Sequence, residues 1–399
     1  MLLKLETYSP VIVPINWQSE LIIDNHQRLS FLIKHFSHIE SLTINSSTWP
    51  MGYGSLEHDN LPMFYQPAAI FNIAGFITEY DVEHAELYIY DSCLAVLNIG
   101  LNVSADVINV DDLEISRRVE ALSEKYLAPI LKQIYALNTE DPMIQPSSYK
   151  FFVNDKEELT NAKPLWVARM QTMEKSIPLV DYQGWLKNID SRSDFLLLGS
   201  GNSLLTEQKY FTDVHRIMIM SQFHAALMNR IESLLKDNLQ QFNSSYYKNR
   251  KTKSLPSSLT SLQYRNDHIE FIDIQISAAS AGVQGIRRTL LNQFNQAWQF
   301  TEQHNRVAQL TSLTQLRLER LSQAKLRQQN RSIQTLLMFL GALGLISLVI
   351  DLIGIANDTS HNKSIGLFDL IQFASAEHMI NFTFLLVVLL TLYFYRSHE

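Results

Sequence analysis

Two apolar runs near the C-terminal end constrain this chain more than any other feature. Residues 335–356 (TLLMFLGALGLISLVIDLIGIA) carry one charge, Asp351, and residues 379–395 (MINFTFLLVVLLTLYFY) carry none. A helix needs about 20 such residues (range ~17–25) to cross the bilayer core, and an isolated apolar segment satisfies its own backbone there only as a helix. Residues 335–399 are therefore expected to form a two-helix transmembrane domain. The competing reading, a helix hairpin inside a soluble core, would have to hide both runs within one globule.

The flanking charges set an orientation. Arg317, Arg320, Lys325, Arg327 and Arg331 precede the first run and Arg396 follows the second, whereas residues 357–378 hold only Lys363 against Asp358, Asp369 and Glu377. Basic residues stay on the cytoplasmic side, so both termini are expected there and the loop outside. Residues 1–10 (MLLKLETYSP) lack the apolar stretch of a secretory signal, which agrees with a cytoplasmic N-terminal body at a bacterial-type inner membrane. Charged residues make up 18% of the 399, below the usual share of about 25%, as a partly membrane-buried chain requires. A net charge of −7 argues against a nucleic-acid polymer as partner. The single cysteine, Cys93, rules out an intrachain disulfide and a zinc site built on several thiolates.

Upstream of the first run, residues 286–340 contain neither Gly nor Pro, and as one helix they would extend about 80 Å. Leu290, Phe294, Trp298, Leu310, Leu313, Leu316, Leu321 and Ala324 supply an apolar stripe at mostly helical spacing, which marks residues 259–334 as a stalk-helix region. Such a helix either packs on other helices of its own chain or oligomerises and carries a conformational signal into the membrane. The body before it reads as two α/β regions, 1–140 and 141–258. Strands are predicted at 7–17, 85–103, 164–173 and 194–198, and helices at 113–137 and 210–239. Linkers are predicted at 138–148 and at 243–258, the latter with a basic run of Lys248, Arg250, Lys251 and Lys253 suited to solvent, anionic lipid or a nucleotide. The predicted fold class is an α+β cytoplasmic domain followed by a very long stalk helix and two C-terminal transmembrane helices.

The first run has a face that suits a pore. At 100° per residue, Leu337, Leu340, Gly344, Ser347 and Asp358 all fall within about 40° of Asp351. An ionisable group inside a span is a functional candidate by default. Around an axis, Asp351 and Asp358 would form acidic rings that favour cations, and Leu337 with Leu340 would form a dewetting constriction. Alternatively, Asp351 only ends the apolar stretch at the headgroups, and Gly341 and Gly344 are helix-packing contacts.

This layout of cytoplasmic α/β body, very long helix, two C-terminal spans and short basic tail resembles the CorA-type metal-ion transporters, chiefly over residues 286–399. The resemblance implies a pentamer whose first span lines the pore, with a Gly-Met-Asn signature at its outer mouth and a divalent cation such as Mg2+ as transported or regulatory ion. Here that place reads Gly354-Ile355-Ala356-Asn357. The extra residue turns Asn357 by about 100° relative to the signature. Gly354 and Asn357 join the pore-lining candidates on this basis, and Asp351, Asn357 and Asp358 are the candidate metal ligands. The expected function is a homo-oligomeric inner-membrane cation channel gated by its cytoplasmic domain. The alternative is a membrane-anchored sensor or defence effector whose cytoplasmic domain binds a nucleotide signal or a partner.

No enzyme signature competes. Residues 199–203 (GSGNS) do not continue as G-x-G-x-x-G and read as a tight turn. Asp111, Asp112 and Glu114 suit the first turn of a helix, where carboxylates oppose the dipole, with metal binding as the alternative reading. His215 and His224 lie nine residues apart on a predicted helix and so point to opposite sides. Neither H-E-x-x-H nor G-x-S-x-G occurs.

Overall fold

The computed structural model describes residues 2–15, 42–45, 67, 69–90, 92–104, 111–136, 156–173, 177–187, 191–193, 195–248, 255–358 and 375–397. It has an N-terminal domain built on a mixed sheet and a mostly helical remainder that contains one long apolar helix. The chain divides into two compact units, Met1–Gln315 and Leu316–Glu399.

The sheet of the first unit has nine strands: β1 (Leu2–Ile12), β2 (Leu42–Asn45), β3 (Ala69–Ile73), β4 (Val82–Ile89), β5 (Leu94–Ser104), β6 (Ala168–Thr172), β7 (Ser191–Arg192), β8 (Leu196–Leu198) and β9 (Asn202–Leu205). Their order across the sheet is β2-β3-β4-β5-β1-β6-β9-β8-β7. Neighbours run antiparallel except β6 and β9, which are parallel. Strands from both predicted α/β regions thus join one sheet, through the pairing of β1 with β6.

Both faces of the sheet are covered, and the two-residue alternation of the strands assigns each side chain. Leu3, Leu5, Val11, Leu87, Ile89, Leu97, Ile99 and Leu204 face a core shared with α1 (Asp112–Leu122), α2 (Ala128–Ala136) and α4 (Leu179–Leu186). A single π turn, Ser123–Leu127, joins α1 to α2, and the short α3 (Lys156–Thr160) precedes β6. Tyr8, Ile12, Tyr88, Val96, Met170, Leu198 and Leu205 face the opposite core, shared with α5 (Phe211–Lys248), α6 (Leu255–Gly282), α7 (Ile286–Ala297) and the start of α8 (Phe300–Asp358). Between Ile217 and Met228 every residue of α5 is buried, the state expected of a helix held between a sheet and a second helical layer. Phe223 of that stretch stacks on Tyr90 with ring centroids 4.1 Å apart. An ion pair from Arg287 Nε to Asp213 Oδ1, 2.6 Å, ties the first turn of α7 to that of α5.

Three expectations need correction. The stalk is not one helix through 286–340, because the chain breaks between α7 and α8 at Trp298 and Gln299, and Gln299 adopts a φ of 57°. The Trp298 indole N–H donates to the Gly199 carbonyl at 3.0 Å and its ring packs against Phe294 and Phe300, contacts that hold the corner without a glycine or proline. The 243–258 linker is largely helical, since α5 extends to Lys248 and α6 begins at Leu255, leaving Arg250, Lys251 and Lys253 outside the described residues. The 259–334 region holds three helices rather than one. The 138–148 linker and the 359–374 loop also lie outside the described residues.

Other expectations hold. GSGNS forms the β8–β9 hairpin turn, closed by Gly199 N–H to Asn202 O at 2.8 Å, and its Gly201 takes the left-handed φ of 80° that a side chain would strain. Asp111 caps α1 by accepting from the Leu113 N–H at 2.9 Å, with Asp112 and Glu114 in the first turn. Cys93 is a buried core residue. Past the corner, α8 is unbroken for 59 residues, and α9 (Ala376–Ser397) follows.

Candidate functional site

Every pore-lining residue read from the sequence lies on α8. Leu337 and Leu340 are 60% and 54% exposed, and Gly344, Ser347, Asp351 and Gly354 are exposed as well. Asn357 and Asp358 form the last turn of the same helix. The eight therefore lie along one helix, from Leu337 to its last residue, Asp358. Of the described helices, α8 is the one long and apolar enough to cross a membrane, and none of its most apolar window is buried within the chain. In α9 the apolar stretch among described residues is shorter, Glu377–Leu389.

A second assembly, which the motif search missed, occupies the α5 face of the sheet. In the register of β4, β5 and β1, His84, Gly100 and Glu6 form one cross-strand row, and Glu86, Asn98 and Tyr8 form the next. Gly100 has no side chain, so the His84 ring crosses over it and places Nε2 at 3.2 Å from Glu6 Oε2 and 3.1 Å from Asn98 Oδ1. Asn98 donates from Nδ2 to Glu6 Oε2 at 3.0 Å and to the Thr7 carbonyl at 3.1 Å, and is itself fully buried. A Cβ at position 100 would stand 2.3 Å from His84 Cε1. Glycine here is a requirement of close approach rather than of backbone angle.

From the next row the network enters the core. Tyr8 hydroxyl lies 2.8 Å from His215 Nδ1, and Tyr88 hydroxyl lies 3.1 Å from His215 Nε2. Tyr88 commits its proton to a short hydrogen bond with Glu86 Oε2. Its oxygen therefore accepts from His215 Nε2–H, and Nδ1 accepts from Tyr8, which gives a directed chain from Tyr8 through His215 and Tyr88 to Glu86. Three elements, β1, β4 and α5, contribute to it, and no sequence motif spans them.

The two imidazoles of this assembly are driven apart. The hydrogen bond to Glu6, outweighing partial burial, raises the His84 pKa to about 9, so His84 is a cation at neutral pH. Burial lowers that of His215 to about 4, so it is neutral. Burial works against the Glu6 charge as well, yet the His84 hydrogen bond and attraction together with Asn98 hold its carboxyl below the ordinary value. Burial also drives the Tyr8 hydroxyl well above its usual range, which keeps its proton on. Two like groups separated in this way are a pattern shared by acid–base sites and by purely structural hydrogen-bond networks.

No family model, curated protein or solved structure matches this chain. Its chemistry is therefore read from its own residues. The described residues hold no group of three or more His, Cys, Asp or Glu able to grip a metal ion. His215 and His224 do point to opposite sides of α5, His215 to the sheet and His224 to the other helices.

Gly100→Ala tests the sheet assembly. The added methyl displaces an imidazole at the end of a rotatable side chain, so the cost in stability is expected to be only about 1 kcal/mol. The loss of the Glu6 and Asn98 contacts should return the His84 pKa from about 9 toward 6.5, read by NMR titration of histidine-labelled protein. An unshifted His84 titration in the variant would refute the crossing geometry.

Proposed function

We propose that this chain is a homo-oligomeric, CorA-like cation channel of a bacterial-type inner membrane, conducting divalent cations and gated by its sheet domain. In this reading α8 lines the pore from residue 335 onward, α9 is the second span, both termini are cytoplasmic and the 359–374 loop faces out. The supporting observation is α8 itself. Near one end, Val307 and Thr314 are buried, while the same unbroken helix ends in an apolar segment that, among the described residues, is exposed almost throughout, Ala342 excepted. An apolar surface of that length belongs against lipid or against other copies.

The stripe on α8 gives the chemistry. Several copies around an axis would place Leu337 and Leu340 as an apolar constriction that dewets when narrow, with Asp351 and Asp358 as acidic rings on the outer side. Gating then requires two arrangements of the sheet domains that differ in their affinity for an ion or small molecule, because a ligand shifts an equilibrium only by its differential binding. A copy number of five is part of the proposal.

Native mass spectrometry of the detergent-solubilised full chain, together with electron microscopy of the same particles, tests it. A closed ring with a central axis is expected, five-fold if the resemblance extends to copy number. A monomer or dimer in mild detergent would leave no axis for the Asp351 stripe and would favour a membrane-anchored sensor instead.

A further inference from the structure

The helical layer of the first unit also holds a pocket open to solvent, separate from the sheet assembly and from the α8 stripe. A cavity of about 210 Å³ lies where α5, α6, α7 and the first turn of α8 meet. Its polar wall includes His224 of α5, Ser277 and Ser280 of α6, Asn295 of α7, and Thr301 and His304 of α8. His224 is 8% exposed, whereas Ser277 and Thr301 are exposed and stand at the solvent side. The cavity adjoins the α7–α8 corner, for Asn295 and Thr301 flank Trp298 and the left-handed Gln299.

The lining selects a chemical class. Imidazoles, hydroxyls and carboxamides share the lining with the apolar Ala225, Met228, Ile276 and Phe300, and neither a carboxylate nor a Lys or Arg is among the lining residues. Hard divalent cations seek carboxylate and carbonyl oxygens, so this set does not suit Mg2+ or Ca2+. Two imidazoles without a third ligand fall short of a transition-metal site. Hydroxyl, amide and imidazole N–H groups are instead hydrogen-bond donors to an oxyanion. Two acids lie beside the lining: Asp273, whose Oδ1 is 3.4 Å from His304 Nδ1, and the exposed Glu302. The volume is below the ~300–1,000 Å³ of pockets for drug-sized ligands, so the occupant is small.

We infer that this cavity is a binding site for a small oxyanion, of the size of phosphate or a short carboxylate. Bound there, the anion bridges α5 and α6 to both sides of the α7–α8 corner and stiffens the point from which the long helix departs. The site stands on its own geometry and does not depend on the channel reading.

Isothermal titration calorimetry of the detergent-solubilised full chain with inorganic phosphate, and separately with sulfate and acetate, tests the inference. Saturable binding at one site per chain is expected for at least one of the three. Ser277→Trp fills the mouth of the cavity from an exposed position that folding does not depend on, and His224→Gln removes a buried imidazole. Each should weaken that binding at least tenfold, whereas Ser312→Trp, on exposed surface farther along α8, should leave it unchanged. Saturable heat that survives both cavity variants would put the anion elsewhere and overturn the inference, as would no saturable heat from any of the three anions. Calorimetry reads no ion flux, so failure of the channel reading and failure of this site are separately visible.

Discussion

In the proposed channel, Asp351→Asn is expected to cut single-channel cation current at least tenfold and to weaken the preference for cations over anions, with the Asp358 ring left in place, in planar-bilayer recordings. A carboxylate about 5 Å from an ion on the axis contributes roughly 0.8 kcal/mol even at the dielectric constant of water. A ring of several copies therefore contributes on the order of 3–4 kcal/mol, and salt screening leaves a part that still exceeds the 1.4 kcal/mol of a tenfold change. Asparagine preserves size and helix position, so the loss would report charge alone. Asp351 is exposed on α8 and no tertiary contact of the described chain depends on it, which makes a folding artefact a poor explanation of a positive result. Unchanged current and selectivity would remove Asp351 from the pore and reduce it to the boundary of an apolar stretch.

The second large effect is acid destabilisation through His215. Its folded pKa of about 4 lies below the ordinary 6.5, so the fold favours the neutral imidazole. The stability gained is present above pH 6.5 and lost as pH falls from there through about 4. At about 1.4 kcal/mol per pH unit of separation the loss is on the order of 3 kcal/mol. His84 has the opposite sign. Its folded pKa is raised, so its smaller, solvent-screened contribution is present below pH 6.5 and is lost as pH rises through about 9. The lowered pKa of Glu6 contributes above about pH 4.5 and is lost in stronger acid. Thermal unfolding of the full chain between pH 7 and 5 should show the His215 slope before most carboxylates titrate. His215→Phe lowers stability at every pH, because Tyr8 and Tyr88 each lose a buried partner at about 1–3 kcal/mol, and it should flatten that slope. An unchanged slope in the variant would show that His215 titrates as an exposed histidine does.

Much of the local structure was legible. Periodicity located the start of α5, predicted at Tyr210 and found at Phe211, though the helix runs nine residues past its predicted end; β-rich composition marked β1 five residues out of register, merged β4 and β5 into one run, 85–103, and placed β6 to within a few residues. The short strands β2, β3, β7 and β9 were missed, because two to five residues hold too little pattern to set against a turn or a loop. The corner at Trp298–Gln299 was missed for another reason. Its local sequence contains no breaker, and it is held by an indole hydrogen bond to Gly199, 99 residues away. Of the sheet assembly one trace was visible, an isolated glycine at position 100 inside a strand pattern, the usual mark of a close approach.

The sequence by itself determined which segments are apolar enough to need lipid or a partner, which face of residues 337–358 holds the acids and small side chains, and where strands and helices alternate, because these depend on periods of two and 3.6 along a single element. Tertiary structure alone decided that Glu6, His84, Asn98 and His215 share one hydrogen-bonded assembly, that one histidine is charged and the other neutral, and that four helices leave a cavity of mixed lining near the start of α8. Those outcomes depend on strand register, burial and contacts between residues up to some 200 positions apart, and none of these is a property of any local stretch of chain.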